Sequence, residues 1–267
     1  IFKAPGERSK VRSEGGHGEW APADGLPDLY IAMGQTAENV AELKGVSREA
    51  MDEYGVMSQN KAEQAISRGF FEMDITPVTM PDGTVVSTDD GPRAGVTLEA
   101  VSQLKPAFRP DGRVTAGNAC PLNDGAAAVV VMSRKRAEEL GIDPIARIIA
   151  SSVSALNPEI MGLGPIEAIK RVLARANMSM SDIDLVEINE AFAAQVIPSA
   201  DELGIDMVDQ LNVNGGAIAL GHPFGQTGAR IMTTLLNGLQ DSDKTFGLES
   251  MCVGGGQGMA MIVERLN

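Results

Sequence analysis

Ala126-Ala-Ala-Val-Val-Val-Met is a continuous apolar run of strand length, and it opens a stretch in which such runs alternate with helical segments. An unbroken apolar run, rather than an alternating one, suits a strand covered on both faces. Ser133 is placed to cap a helix that runs to Leu140 and ends at Gly141. There follow a strand over 146–154, a helix with Pro165 in its first turn, a strand at Leu185–Ile188 and a helix from Glu190. A Gly-His loop, a helix over 225–239 and two closing strands, 245–252 and 258–264, complete the chain. Strands and helices in alternation make a layered α/β fold. Asp124-Gly-Ala-Ala-Ala-Val-Val-Val-Met-Ser echoes Gly256-Gln-Gly-Met-Ala-Met-Ile-Val-Glu-Arg in outline, as an internally duplicated fold would.

The sequence before Asn123 has a different character. Residues 1–28 are rich in Gly, Pro and charge without periodicity, and read as an extended surface segment. Thr36 is expected to cap a helix over 37–44, and Ser47 a longer one reaching about Arg68. Ala50, Tyr54, Met57, Ala62, Ala65 and Ile66 supply that longer helix with an apolar face. Residues 75–86 read as a hairpin around Pro81-Asp-Gly, and 98–104 as a short helix stopped by Lys105-Pro106.

With 267 residues the chain can bury a sizeable core, in one large or two modest domains. Its net charge of −14 argues against a nucleic-acid partner, so an anionic ligand would have to be met by a local Arg or Lys. Two cysteines make no disulfide framework and fit a reducing, cytoplasmic setting. No apolar run approaches the roughly 20 residues of a membrane span, so no membrane partner is expected. The start at Ile1, without a signal-peptide pattern, reads as a cut end.

The scarcest reactive side chains stand beside the most permissive backbone. His222, one of two histidines, lies in Asn212-Val-Asn-Gly-Gly-Ala-Ile-Ala-Leu-Gly-His-Pro-Phe-Gly. An imidazole there is the default general base or proton donor near neutral pH, whereas a structural histidine has no need of so open a backbone. Cys252 precedes Gly254 and Gly255 in Cys-Val-Gly-Gly-Gly, whose N–H groups can form an oxyanion hole. Taken alone, such a thiol is more often an inert core residue. Asn189, at a strand-to-helix junction, either caps the helix or is used in the site.

Together these segments resemble the thiolase family. Asn189-Glu-Ala-Phe, Gly221-His-Pro-Phe-Gly and Cys252-Val-Gly-Gly-Gly match three of its active-site loops in order and spacing. Five more segments match along the chain: Met33-Gly-Gln-Thr-Ala-Glu-Asn-Val-Ala, Asp90-Gly-Pro-Arg, Leu104-Lys-Pro-Ala-Phe, Thr115-Ala-Gly-Asn and Asn123-Asp-Gly-Ala-Ala. The resemblance implies a layered α/β/α fold with duplicated halves, the N-terminal half incomplete, and an irregular α+β loop domain. It divides the chain into a CoA-binding loop domain (1–122), the last strand and helix of the N-terminal domain (123–142) and the C-terminal domain (143–267).

It also implies roles. Cys252 would shuttle a proton to and from the α-carbon of acetyl-CoA or the thiol of CoA. His222 would activate the nucleophilic cysteine and donate to the thioester oxygen. Asn189 would hold a water completing that oxyanion site, and the Gly254 N–H would form half of a second. Arg93 is expected near the nucleotide of CoA, with Met33, Phe108, Ala191 and Phe192 along the pantetheine and acyl channel and Cys120 at a pantetheine contact. The implied reaction is thiolytic cleavage of a 3-ketoacyl-CoA, with CoA as co-substrate, no permanently bound cofactor and no metal. A homodimer or homotetramer is expected.

Two departures qualify this. The family's acyl-accepting cysteine belongs to the first third of its chains and is not among these residues. Cys120 is no substitute, so the chain by itself is expected not to turn over. Ala32-Met33 stands where short-chain thiolases often carry His-Met, which points to a longer or bulkier acyl group and a degradative, β-oxidation-type role. The alternative is a non-catalytic acyl-CoA-binding protein on the same scaffold. A ketoacyl synthase would usually present a second histidine near Asn189 and lack Cys252, and a papain-like hydrolase fits neither the order nor the glycine contexts.

Overall fold

The computed structural model describes residues 25–267. Residues 1–24 of the segment expected to be extended therefore lie outside the described residues. Helix α1 spans Met33–Lys44 and α2 spans Arg48–Ser67. Ser47 caps α2 as expected, its side chain accepting from the Ala50 N–H at 3.1 Å. The expected cap at Thr36 is wrong, because α1 begins earlier. The Ala32 carbonyl takes the Gln35 and Thr36 N–H groups at 2.9 and 3.2 Å, and the Thr36 hydroxyl donates to Met33 O. Residues 34–41 are all buried, so tertiary contact overrides the local capping signal. The apolar face of α2 is also rotated from expectation: Met51, Tyr54, Ala62 and Ala65 are buried while Ile66 is exposed.

Strands β1 (Val78–Thr79) and β2 (Val85–Val86) form the expected antiparallel hairpin, followed by α3 (Leu98–Ser102) and α4 (Arg134–Leu140). Ser133 and Gly141 bound α4 as the sequence indicates. The rest of the chain is β3 (Ala146–Ala155), α5 (Gly164–Ala176), β4 (Leu185–Ile188), α6 (Ala193–Leu203), α7 (Ala217–Leu220), α8 (Thr227–Asp241), β5 (Phe246–Val253) and β6 (Gln257–Arg265). Helix α6 starts at Ala193 rather than Glu190 because Phe192 is held extended, bridged antiparallel to Ala119.

One sheet, ordered β3-β6-β5-β4, organises this half; β4 runs parallel to β5 and the other neighbours are antiparallel. Alternate residues of each strand face opposite layers. Val186, Ile188, Leu248, Ala260 and Ile262 pack with Ile169 and Val172 of α5. Leu185, Met261 and Val263 pack instead with Met232, Leu235 and Leu239 of α8. The sheet is thus covered on both faces, giving the α/β/α layering. Among the described residues no helix is long and apolar enough to cross a membrane.

The strand expected over 126–132 does not form. Residues 121–133 carry no regular structure, and Val130 is 84% exposed. A strand exists only by pairing, and no described residue offers this run an edge.

Candidate active site

Because β4 and β5 are parallel, their C-terminal ends open on one edge of the sheet. Asn189 follows β4 directly, and its N–H donates to Ser250 O of β5 at 3.0 Å, two residues before Cys252. The irregular stretch 118–125 then laces the site together. The Ala193 N–H donates to Asn118 O at 2.9 Å and the Cys120 N–H to Ala191 O at 3.0 Å. Further on, Asn123 Oδ1 accepts from the backbone N–H of His222 at 3.0 Å. Gly221 makes this approach possible: it has φ 89°, and a Cβ there would overlap the Asn123 carboxamide.

Asn189 does not cap a helix. Its side chain is 1% exposed, yet both Oδ1 and Nδ2 lack a partner among the described residues. A buried carboxamide left unpaired costs roughly 1–3 kcal/mol, so these two atoms stand out among the polar groups of the sheet edge. The neighbouring Glu190 is the opposite case. Its carboxylate accepts from Tyr54 Oη (2.9 Å), Ser58 Oγ (2.6 Å), Asn212 Nδ2 (2.8 Å) and the Ile218 N–H (3.1 Å). Glu190 therefore clamps the Asn189 loop to α2 and to the glycine-rich loop that leads to His222.

His222 is half-buried, with Nδ1 2.6 Å from Thr227 Oγ1 and its ring in edge contact with Phe224. Burial, and then the Arg230 guanidinium, pull its pKa down to about 4, so the imidazole is neutral at physiological pH. It borders a cavity of about 300 Å³ with Leu122, Asn123, Asp124 and Phe224.

Cys252 sits half-buried near the end of β5, and burial pushes its thiol up to about 11. Burial likewise raises Cys120 to about 12, with the nearby Cys252 adding to the effect. Both thiols are therefore protonated at neutral pH. The turn after it is shaped by Gly255 and Gly256 at φ 87° and 88°; a Cβ on Gly256 would overlap Leu156 O. The Gly254 carbonyl accepts from Gln257 Nε2 at 3.2 Å.

The residues expected along a CoA channel fall into two groups. Phe108 and Phe192 meet edge-to-face at 6.0 Å, Gly34 beside Met33 lies against the Phe108 ring, and Cys120 joins Ala191. Arg93 stands apart from this wall. It is exposed, has no ion-pair partner among the described residues, and is held by its N–H to Gln59 Oε1 at 3.0 Å. Gln59 in turn donates to Ile218 O of α7, the short helix that leads into the His222 turn.

Four residues at the site escaped sequence reasoning. Thr227 and Arg230, in the first turn of α8 and five and eight residues beyond His222, carried only a helical signal. Glu187 and Glu249 face each other across β4 and β5, both raised to about 8 chiefly by burial and held down by Arg230. An acidic residue inside an apolar strand is the only local mark of either.

Comparison with known proteins gives the family. The model described as thiolase, N-terminal domain matches residues 7–135, and that for thiolase, C-terminal domain matches 142–265. An acetyl-CoA acetyltransferase of Cupriavidus necator is 51% identical over 91% of this chain and 63% of its own length. One of Pseudomonas aeruginosa is 47% identical over 99% of this chain and 69% of its own. The crystal structure of the Bacillus anthracis acetyl-CoA acetyltransferase matches with TM-score 0.86 and 47% identity, over 89% of this chain and 61% of that one. Human mitochondrial 3-ketoacyl-CoA thiolase in complex with CoA matches with TM-score 0.83 and 39% identity, over 89% and 60%. The chain thus spans about 63% of the length of the first of these relatives. Two adjoining domain matches and near-half identity across almost every residue make this chain a member of the thiolase family.

Proposed function

We propose that the chain carries the proton-transferring part of a thiolase active site, serving thiolytic cleavage of a 3-ketoacyl-CoA to acetyl-CoA (or propionyl-CoA) and a shortened acyl-CoA. The observation that carries this is Asn189: a buried carboxamide with neither polar atom paired, at the sheet edge that also bears Cys252, with His222 laced to it through 118–125. A merely structural asparagine would be satisfied.

In this reading a cysteine from outside the 267 residues attacks the C3 carbonyl, its proton passing to His222. The C2–C3 bond breaks, the electron pair goes to C2 as an enolate, and the Cys252 thiol protonates that carbon to release acetyl-CoA. The Cys252 thiolate then takes the proton of the incoming CoA thiol, whose sulfur displaces the enzyme cysteine from the acyl group, and the departing cysteine thiolate takes back the proton held by His222. A thiol raised to about 11 suits this order, because it must be protonated at rest and act first as an acid. Asn189 and the Gly254 N–H would assist the developing oxyanions. Arg93 would meet a CoA phosphate, and Met33, Phe108, Cys120, Ala191 and Phe192 its pantetheine and acyl portions. Ala32, where an imidazole would narrow the entrance, favours acyl groups longer than acetoacetyl and a degradative role.

The test is thiolysis by the full gene product across 3-ketoacyl-CoA chain lengths, with Cys252→Ala beside it. Loss of about 10²-fold or more in kcat for the variant, with faster turnover of longer chains, is expected. Acyl-CoA binding without thiolysis would instead make this a binding protein. Acetoacetyl-CoA as the much faster substrate would overturn the chain-length reading alone.

A further inference from the structure

We propose that Thr227 is a positioning residue that holds His222 as the tautomer protonated on Nδ1, leaving Nε2 as the bare, proton-accepting atom. This deepens the thiolase reading and rests on it for its catalytic meaning, but not for its geometry. Thr227 is fully buried at the first turn of α8, where water does not compete for its hydroxyl. That hydroxyl has two neighbours: His222 Nδ1 at 2.6 Å and the carbonyl of Pro223 at 3.0 Å. A hydroxyl has one proton, and a carbonyl can only accept. If the proton pointed at Nδ1, the threonine oxygen would face the carbonyl oxygen with lone pair against lone pair. Donation to Pro223 O satisfies both contacts, and it requires Nδ1–H to be the donor in the other.

The rest of the surroundings support a neutral ring in that form. Nε2 makes no hydrogen bond among the described residues, while the ring borders the open cavity with Asn123 and Phe224. Arg230, one turn further along α8, has Nη1 and Nη2 buried without a hydrogen-bond partner among the described residues, a positive charge that disfavours an imidazolium nearby. The Asn123 carboxamide fixes the His222 backbone and Thr227 fixes the ring. An attacking thiol would therefore meet a proton acceptor already turned toward it, with no tautomer exchange needed first.

The experiment reads the proton directly. Two histidines lie in these 267 residues, His17 and His222, and in imidazole ¹⁵N spectra of the full gene product the His222 signal is assigned as the one lost in His222→Gln. The unbound protein is expected to show a protonated Nδ1 and an unprotonated Nε2 at His222, opposite to the preference of free histidine. Thr227→Ser should keep that signature and near-wild-type thiolysis. Thr227→Val should shift the ring toward Nε2–H and lower kcat on the order of tenfold or more with KM little changed. An Nε2–H ring in the unsubstituted protein overturns the proposal, and needs no variant to fold. So does a valine variant with unaltered spectrum and turnover. A full gene product that shows the Nδ1–H signature but no thiolysis would sink the functional reading and leave the tautomer assignment standing.

Discussion

The four-residue strand β4 and the seven-residue apolar run 126–132 meet opposite fates in this molecule. Leu185–Ile188 is buried at every position, while Val129, Val130 and Val131 of the 126–132 run are 42%, 84% and 70% exposed. Neither composition nor β-propensity separates them; if anything the valine run is the more strand-like. What differs is the neighbours. β4 has β5 beside it in parallel register, α5 on one face and α8 on the other, so its backbone is paired and its side chains are enclosed. The valine run has no described edge to join. Strand potential is local, whereas strand existence depends on a partner.

The steepest test of that contrast lies in the sheet itself. Leu248 of β5 is fully buried between β4 and β6. Leu248→Ala is expected to destabilise the fold by about 2–5 kcal/mol, read from urea unfolding. A loss below about 1 kcal/mol would mean that this sheet is not the enclosed core it is taken for.

A smaller effect comes from the acidic residues that the strands bury. Glu187 is raised from 4.5 to about 8, first by burial, with Arg230 pulling the other way. The folded state therefore holds its proton more tightly than the unfolded chain does. The stability this contributes is fully present below about pH 4.5, falls as pH rises, and is gone above about pH 8. Glu249 titrates in the same direction beside it. Glu187→Gln should flatten the decline by roughly 1–3 kcal/mol between pH 5 and 8.5, measured as unfolding midpoints. Equal slopes in the two proteins would contradict the assignment.

The same division between local and long-range information governs what the sequence discloses. The four strands of the sheet, the caps at Ser47 and Ser133 and the stop at Gly141 are written in adjacent residues, and each lies where its pattern points. Thr36 misleads because α1 is buried from Gly34 to Ala41, so contacts with distant residues replace the missing cap. In the site, His222, Cys252 and Asn189 stand out through rarity or glycine context. The supports around them do not. Asn123 matters because it lies 99 residues from the His222 N–H it accepts, and Glu187 because α8 brings Arg230 over it. Such partnerships carry no mark in either segment alone.

Val130→Ser is the smallest of these perturbations and bears most directly on the contrast. The side chain is 84% exposed and its segment unpaired, so replacing it should alter unfolding stability by no more than about 0.5 kcal/mol. The equivalent change at Val186, 1% exposed on β4, removes two buried methyls and inserts a hydroxyl, and should cost several times more. The ratio of the two costs is what matters. A Val130→Ser penalty approaching that at Val186 would show that the valine run has found a covering partner in solution. That would make it a strand in waiting, and the opposition between the two runs would become a difference of circumstance, not of kind.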